Sequence, residues 1–338
     1  MRLIVCSFLM IACLSFGSAF AEEVTASYPD PADPFMGDWK GAWTSGEEKE
    51  PDLAAQVIAL GGGSYEIRLV PALYKRCPPE AVVTATAEEG ALRFDDGNFY
   101  GSIEGDTFSG GRHGDDPGTF ELKRFTWESP TLGAARPAGA VELFNGEDFD
   151  AWRRFPRDKT WDILEGGVVQ ADPDLGYIVS EERFEDCQIH LEFRTPFMPE
   201  ARGQGRGNSG LFVQWVFEVQ ILDSYGLPGY WNECGALYKQ AGPYVNMCLP
   251  PTQWQTYDIT FRAARYDDDT LVENARITVV HNGVTIHKDR ELPHGTSGRG
   301  IGSHAESPDH PDSIRLQAHN NRVQFRNLWV LPLEDARP

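Results

Sequence analysis

The stretch from Asn208 to Gly226, NSGLFVQWVFEVQILDSYG, constrains the fold more than any other part of the chain. Trp215, Phe217, Val219 and Ile221 fall on one side of a period-two alternation, and Gln214, Glu218 and Gln220 fall on the other. That period belongs to a β-strand with one buried face, because successive side chains point to opposite sides of a sheet. The expectation is an apolar inner face and an outer, concave face carrying a carboxylate and an amide two residues apart. A polar strand face with an acid at its centre, beside a Gly-rich loop, suits a sugar.

The same alternation recurs along the chain. Between residues 37 and 125, short apolar runs such as SYEIRLV and TFELKRF are separated by GGG, EEG, DDGN and EGD. These are turn compositions, with Gly or Asn-Gly where a positive φ is wanted. A compact antiparallel meander or small barrel follows, within a domain spanning residues 22–128. The segment SPTLGAARPAGA, residues 129–140, reads as a linker. From Val141 to Leu333 strand patterns return, and their spacing argues for a two-sheet sandwich rather than βαβ units. With 34 Gly, 23 Pro and no long helix-period segment in 338 residues, the whole chain is expected to be all-β.

The first residues read as a secretory signal. Arg2 supplies the positive end, Leu3 to Phe16 the apolar run, and Ala19-Phe20-Ala21 a small-x-small cleavage site. Residues 1–21 are therefore expected to be removed and the protein to be secreted or periplasmic. No second apolar run is long enough to cross a bilayer. The formal net charge of -21 repels phosphate backbones and disfavours nucleic acid as a partner. It suits neutral or cationic ligands and is compatible with a bound divalent cation, although no motif requires a cofactor. Cys77, Cys187, Cys234 and Cys248 follow the signal, and either two bridges or buried free thiols fit them. Cys234 with Cys248 is the pair a single loop would join.

Several blocks carry a resemblance. LFNGEDFDAW, QIHLEFRTP, RGNSGLF, FEVQILDSYG, ECGALYKQ, PPTQWQTYDITFRAARYD, ITVVHNGV and VQFRNLWVLPL occur in order over Val141–Leu333. In these the chain resembles the 3-keto-disaccharide hydrolase family, formerly a domain of unknown function. The resemblance implies a concanavalin-like jelly-roll sandwich and hydrolysis of glycosides whose glucose carries a ketone at C3. Three places depart from the family pattern. Leu316-Gln317-Ala318-His319-Asn320 stands where Leu-Gln-Asp-His-Gly is familiar, which removes a carboxylate at Ala318. Leu249 precedes the double proline in place of a basic residue, and the Gly295–Asp312 loop is long and His-rich.

A C3 ketone acidifies the C2 hydrogen, so hydrolysis can proceed by C2 deprotonation, elimination and hydration. That route needs a base, an acid for the leaving oxygen and a donor for the enolate oxygen. Glu218 is the first candidate for a carboxylate role. His319, on a strand face with Arg315 and Gln317, is the second catalytic candidate, since imidazole titrates near neutral pH. Gln220 shares the Glu218 side, and Asp223 just past the strand end could hold hydroxyls or a cation. Arg194, in a row with His190 and Glu192, becomes the enolate stabiliser if its strand joins the concave sheet; otherwise the row is a salt-bridged surface. Asn208 and Ser209 of the GQGRGNSG loop are expected to meet sugar hydroxyls. Trp231, Tyr238 and Trp254 are candidates for stacking on a ring. His113 with Asp115 and Asp116, and His304 with Glu306, Asp309 and His310, are the His–carboxylate groups that could attract a metal, though solvated loops explain both. Asp267-Asp268-Asp269 reads as a hairpin tip. Two other functions compete with a 3-keto-glycoside hydrolase. A lectin-like carbohydrate-binding protein would need the amides and aromatics without acid–base chemistry. A glycosidase of ordinary sugars would want two carboxylates across the bond, and Gln220 occupies the nearest position.

Overall fold

The structure, a computed structural model, describes Tyr28 and residues 33–46, 52–154, 160–268, 270–296 and 312–333. The signal segment with its cleavage site at Ala21, the group His304, Glu306, Asp309 and His310, and Asp269 of the acidic triplet lie outside the described residues. The described chain is all-β. Its only helical pieces are three single 3-10 turns, at Glu165–Gly167, Pro173–Leu175 and Gly203–Gly205.

Eight strands, from Gly37–Ser45 to Gly118–Phe125, each pair antiparallel with the next, and the last pairs with the first. Closure removes the exposed edges that a simple meander would leave. The interior holds a chain of edge-to-face rings: Trp39 on Phe108 at 6.0 Å, Phe108 on Phe120 at 5.4 Å and Phe120 on Trp43 at 5.5 Å.

The rest of the chain forms a two-sheet antiparallel sandwich. One sheet has five strands, in the order Trp152–Arg154, Tyr177–Phe184, Asp312–Ala318, Ser209–Val213 and Phe217–Ile221. The other has eight and is centred on Gln324–Pro332, Cys187–Arg194, Gln255–Arg262 and Ala275–His281. Leu211, Val213, Phe217, Val219 and Ile221 from the first sheet meet Ile189, Leu191, Phe193 and Phe261 from the second in one core. Phe217 and Phe261 face each other at 5.7 Å.

The Asn208–Gly226 alternation does not make one strand. The chain reverses at Gln214–Trp215, which take φ of 46° and 66°, and Phe217–Ile221 folds back on Ser209–Val213. Trp215 therefore leaves the apolar row. It packs at the sheet's edge against the Tyr177 ring, 5.4 Å away. No Gly or Asn marks this turn, so residue preference gives no sign of it.

The 129–140 segment is pinned to the outer face of the eight-stranded sheet. Thr131 Oγ1 donates to Asp258 Oδ2 at 2.6 Å, the Gly133 amide donates to Glu192 Oε1 at 2.6 Å, and Asn327 Nδ2 donates to the Ala134 carbonyl at 3.0 Å. The His190–Glu192 row lies under it, fully buried rather than on the surface. His190 Nδ1 meets Asp258 Oδ1 at 2.7 Å, and Arg326 Nε donates to Glu192 Oε2 at 2.6 Å. Burial alone would raise the Glu192 carboxyl, but bonds from His190, Asn327, Arg326 and the Gly133 amide hold it down at about 2. Burial opposes charge on His190 too, yet Asp258 and Glu192 outweigh it and raise its pKa.

Barrel and sandwich meet through buried polar contacts. Tyr225 donates to Asp38 Oδ1 at 2.7 Å, and Tyr74 donates to the other oxygen of Asp38. Arg202 and Arg206 donate to the Leu60 and Ala59 carbonyls. The described cysteines Cys77, Cys187, Cys234 and Cys248 are free thiols. No helix among the described residues is long and apolar enough to cross a membrane.

Candidate active site

Register builds the site. Across three adjacent strands Arg315 stands opposite Phe212 and Phe212 opposite Glu218, while Gln317 stands opposite Gly210 and Gly210 opposite Gln220. Facing residues in a ladder share a side of the sheet. Leu211, Val219 and Leu316 on the other side belong to the core, so Arg315, Phe212, Glu218, Gln317 and Gln220 form one polar face turned away from it. The next segment extends the face. Val219 bridges to Leu237, and the Tyr238 amide donates to the Glu218 carbonyl at 3.1 Å, which places Tyr238 beside Glu218.

Glu218 is 6% exposed, and its carboxylate accepts no hydrogen bond among the described residues. Burial pushes its pKa up to about 7, against the pull of Arg315 and Lys239. Gly210 is what leaves room for it, since a Cβ there would stand 2.5 Å from Glu218 Oε1. The Arg315 guanidinium lies 3.6 Å from the Phe212 ring centroid and within 5.1–5.2 Å of the Tyr177 and Trp215 rings. Its Nε is buried without a hydrogen-bond partner among the described residues. An aromatic surround of this kind fixes a cation without neutralising it. Gln220 donates from Nε2 to Gln204 Oε1 at 3.1 Å, and its own Oε1 is buried with no partner among the described residues. A base near neutral pH, a fixed cation and an orphaned amide oxygen are thus gathered on one face.

The other sequence candidates fall differently. Gln317 is on the site face. His319 follows it by two residues but lies past the strand end, exposed, with no hydrogen bond among the described residues. Arg194 belongs to the eight-stranded sheet. It donates from Nε to Gln324 Oε1 at 2.7 Å and stacks on Trp254 and Tyr28, so it is far from the enolate position expected of it. Trp254, gripped by Arg194 and by Arg326 at 4.1 Å, leaves the sugar-stacking set with it. Ser209 stands opposite Ile221 on the inter-sheet side and donates to the Gln317 carbonyl, which takes it off the sugar face. Asp223 is buried against Arg206, with Nε to Oδ2 at 2.6 Å, and that pairing uses the carboxylate expected to hold hydroxyls or a cation. Asn208 is buried and gives its side-chain amide to Gln204, so it supports the loop instead of projecting from it. Arg315 is the candidate that the sequence pattern puts on this strand face without pointing to a role for it.

Trp231 is half exposed and lies 5.8 Å from Tyr238, which makes an aromatic wall next to Glu218. Buried Glu233 holds this loop by accepting the Gly229 and Tyr230 amides at 2.6 and 2.8 Å. Among the described residues no group of three or more His, Cys, Asp and Glu side chains is placed to hold a metal. His113 and Asp116 are engaged with Asp95 and Arg112 respectively.

The 3-keto-alpha-glucoside-1,2-lyase-like domain family matches residues 139–331, more than half of the chain. Among solved structures, a candidate glycosyl hydrolase from Parabacteroides distasonis ATCC 8503 is 32% identical, over 58% of this chain and 85% of its own, with a TM-score of 0.53. A second from the same organism is 20% identical, over 58% and 94%, with a TM-score of 0.44. No curated protein matches the chain.

Proposed function

The chain belongs to the 3-keto-alpha-glucoside-1,2-lyase-like family, and from that premise we propose that it is an exported glycoside-hydrolase-type enzyme acting on 3-keto-glucosides. The observation that carries this reading is the row Arg315–Phe212–Glu218–Tyr238 across the polar sheet face. It supplies a proton-transfer group and a fixed cation side by side.

Glu218 takes the C2 proton of the bound 3-keto-glucoside. The C–H electron pair moves into a C2–C3 double bond and negative charge gathers on the C3 oxygen, where the Arg315 guanidinium stabilises it. The pair then returns toward C1, a C1–C2 double bond forms and the C1–O bond breaks. The carboxylic acid of Glu218 passes its proton to the departing oxygen. Water adds back, hydroxyl to C1 and hydrogen to C2, and the net reaction consumes one water. A pKa of about 7 suits a group that must first accept and then donate near neutral pH. Gln220 and Gln317 lie where sugar hydroxyls would be held, and Tyr238 with Trp231 offers a stacking surface to the leaving group.

The test is to incubate the protein with 3-keto-trehalose, 3-keto-sucrose and their unoxidised parents and to measure released sugar. Release from the keto compounds alone supports the reading. Binding of both forms with no release favours the lectin-like alternative.

A further inference from the structure

The junction of barrel and sandwich forms a partly open cavity of about 360 Å³, outside the Glu218 face. Its walls come from both domains: Arg68 and the loop through Lys75 and Arg76 on the barrel side, and Pro228, Tyr230 and neighbours on the sandwich side. Gly226 permits this approach. A Cβ there would stand 2.5 Å from Ile58 Cδ1, and Arg68 lies alongside.

The charge of the lining is opposite to that of the chain. The protein carries 51 acidic residues against 30 basic ones, yet three cations and no carboxylate line this cavity among the described residues. Lys75 and Arg76 are exposed and have no ion pair with a carboxylate among the described residues. Arg68 gives its Nε to Glu66 at 2.7 Å, which leaves the two terminal nitrogens of its guanidinium. Three cations beside one partly open cavity, of which Arg68 alone is paired with a carboxylate, focus a positive potential there, against the surrounding negative field. The walls are rigid: prolines 78, 79 and 228 form part of them, and Tyr74 behind is fixed to Asp38. A volume of this size admits a monosaccharide derivative, and domain interfaces are favoured places for such sites.

We propose that this cavity binds a small oxyanion, a carboxylate or phosphate group carried on a molecule of monosaccharide size. The guanidinium of Arg68 and the exposed ends of Lys75 and Arg76 receive the anion, and the Tyr230 ring covers the carbon skeleton. Because both domains form the walls, the ligand ties the barrel to the sandwich and stabilises their docked arrangement by mass action.

The experiment titrates the full mature protein with inorganic phosphate, glucuronate, glucose 6-phosphate and neutral glucose, by calorimetry and by thermal shift. The expected result is binding of at least one anion with a Kd of about 1 mM or tighter, a raised melting temperature, and no binding of glucose here. Which anion binds tells a carboxylate ligand from a phosphate one. The Lys75→Gln, Arg76→Gln double variant, altered only at exposed positions, is expected to weaken binding by about tenfold or more. Arg93→Gln, outside the cavity, leaves it unchanged. Absence of binding by all three anions, or binding that the double variant does not weaken, overturns the proposal. Release of sugar from 3-keto-glucosides is a separate readout, so failure here is distinguishable from failure of the proposed activity.

Discussion

Glu218→Gln should make the protein more stable at pH 8 while removing its activity. The carboxyl has an ordinary value of 4.5 and is raised to about 7 by burial on the sheet face. A group raised in the folded state contributes stability that is fully present below its unfolded value, and that contribution is lost as the pH rises through the folded value. Well above pH 7 the ionised Glu218 therefore costs the folded protein about 3 kcal/mol relative to the same carboxyl in water. A glutamine keeps the shape and carries no charge, although it buries an amide with few partners, which offsets about 1 kcal/mol. The net expectation is a gain of about 1–2 kcal/mol at pH 8, or a few degrees in Tm for a domain of this size. Near pH 5, where wild-type Glu218 is protonated in the fold, the gain should vanish. Paired thermal melts of wild type and variant at pH 5 and pH 8 measure it. A variant no more stable than wild type at pH 8, or one shifted equally at both pH values, would refute the reasoning that burial raises the Glu218 carboxyl at this site.

Other outcomes follow from the same geometry. Gly210→Ala should lower kcat with little loss of stability, because the new methyl displaces the flexible end of Glu218 and not the backbone; steady-state kinetics with a melt will tell. Arg315→Gln should cost about 100- to 1,000-fold in kcat if the guanidinium stabilises the enolate, and Arg194→Gln should leave kcat nearly unchanged. Trp231→Ala should raise KM for a 3-keto-disaccharide more than for a methyl 3-keto-glucoside, a comparison of two substrates in one assay. Glu192→Gln breaks the buried network beneath the 129–140 segment and should cost about 3 kcal/mol in denaturant titrations at pH 7. In the wild type the contribution of Glu192 is present above 4.5 and lost as the pH falls toward 2, while that of His190 is lost as the pH rises through its raised value.

Local pattern carries much of this molecule. Alternation placed Glu218 and Gln220 opposite Phe217, Val219 and Ile221, and placed Arg315 with Gln317, because period two is a property of the strand itself. Which strands lie side by side is not local. Arg194 and Arg315 sit in similar polar rows, and only the long-range order of the sheets puts one on the outer face with Trp254 and the other next to Glu218. Asp223 reads as available in the sequence because its partner, Arg206, is 17 residues away, on the other side of the Ser209–Ile221 hairpin. The reversal at Gln214–Trp215 has no local sign in the sequence because it uses neither Gly nor Asn. Closure of the eight-stranded barrel and the pinning of residues 129–140 likewise depend on contacts between distant segments, for which composition offers only turns and a linker.

The central claim is that Glu218 removes the C2 proton of a 3-keto-glucoside. Its most direct test is to incubate wild type and Glu218→Gln with 3-keto-trehalose in deuterium oxide and to follow both sugar release and deuterium at C2. The prediction is that the wild type releases product carrying deuterium at C2 and that the variant loses at least about 100-fold of that rate while remaining folded. Product free of deuterium, or a variant that keeps more than about a tenth of the wild-type rate, would contradict it.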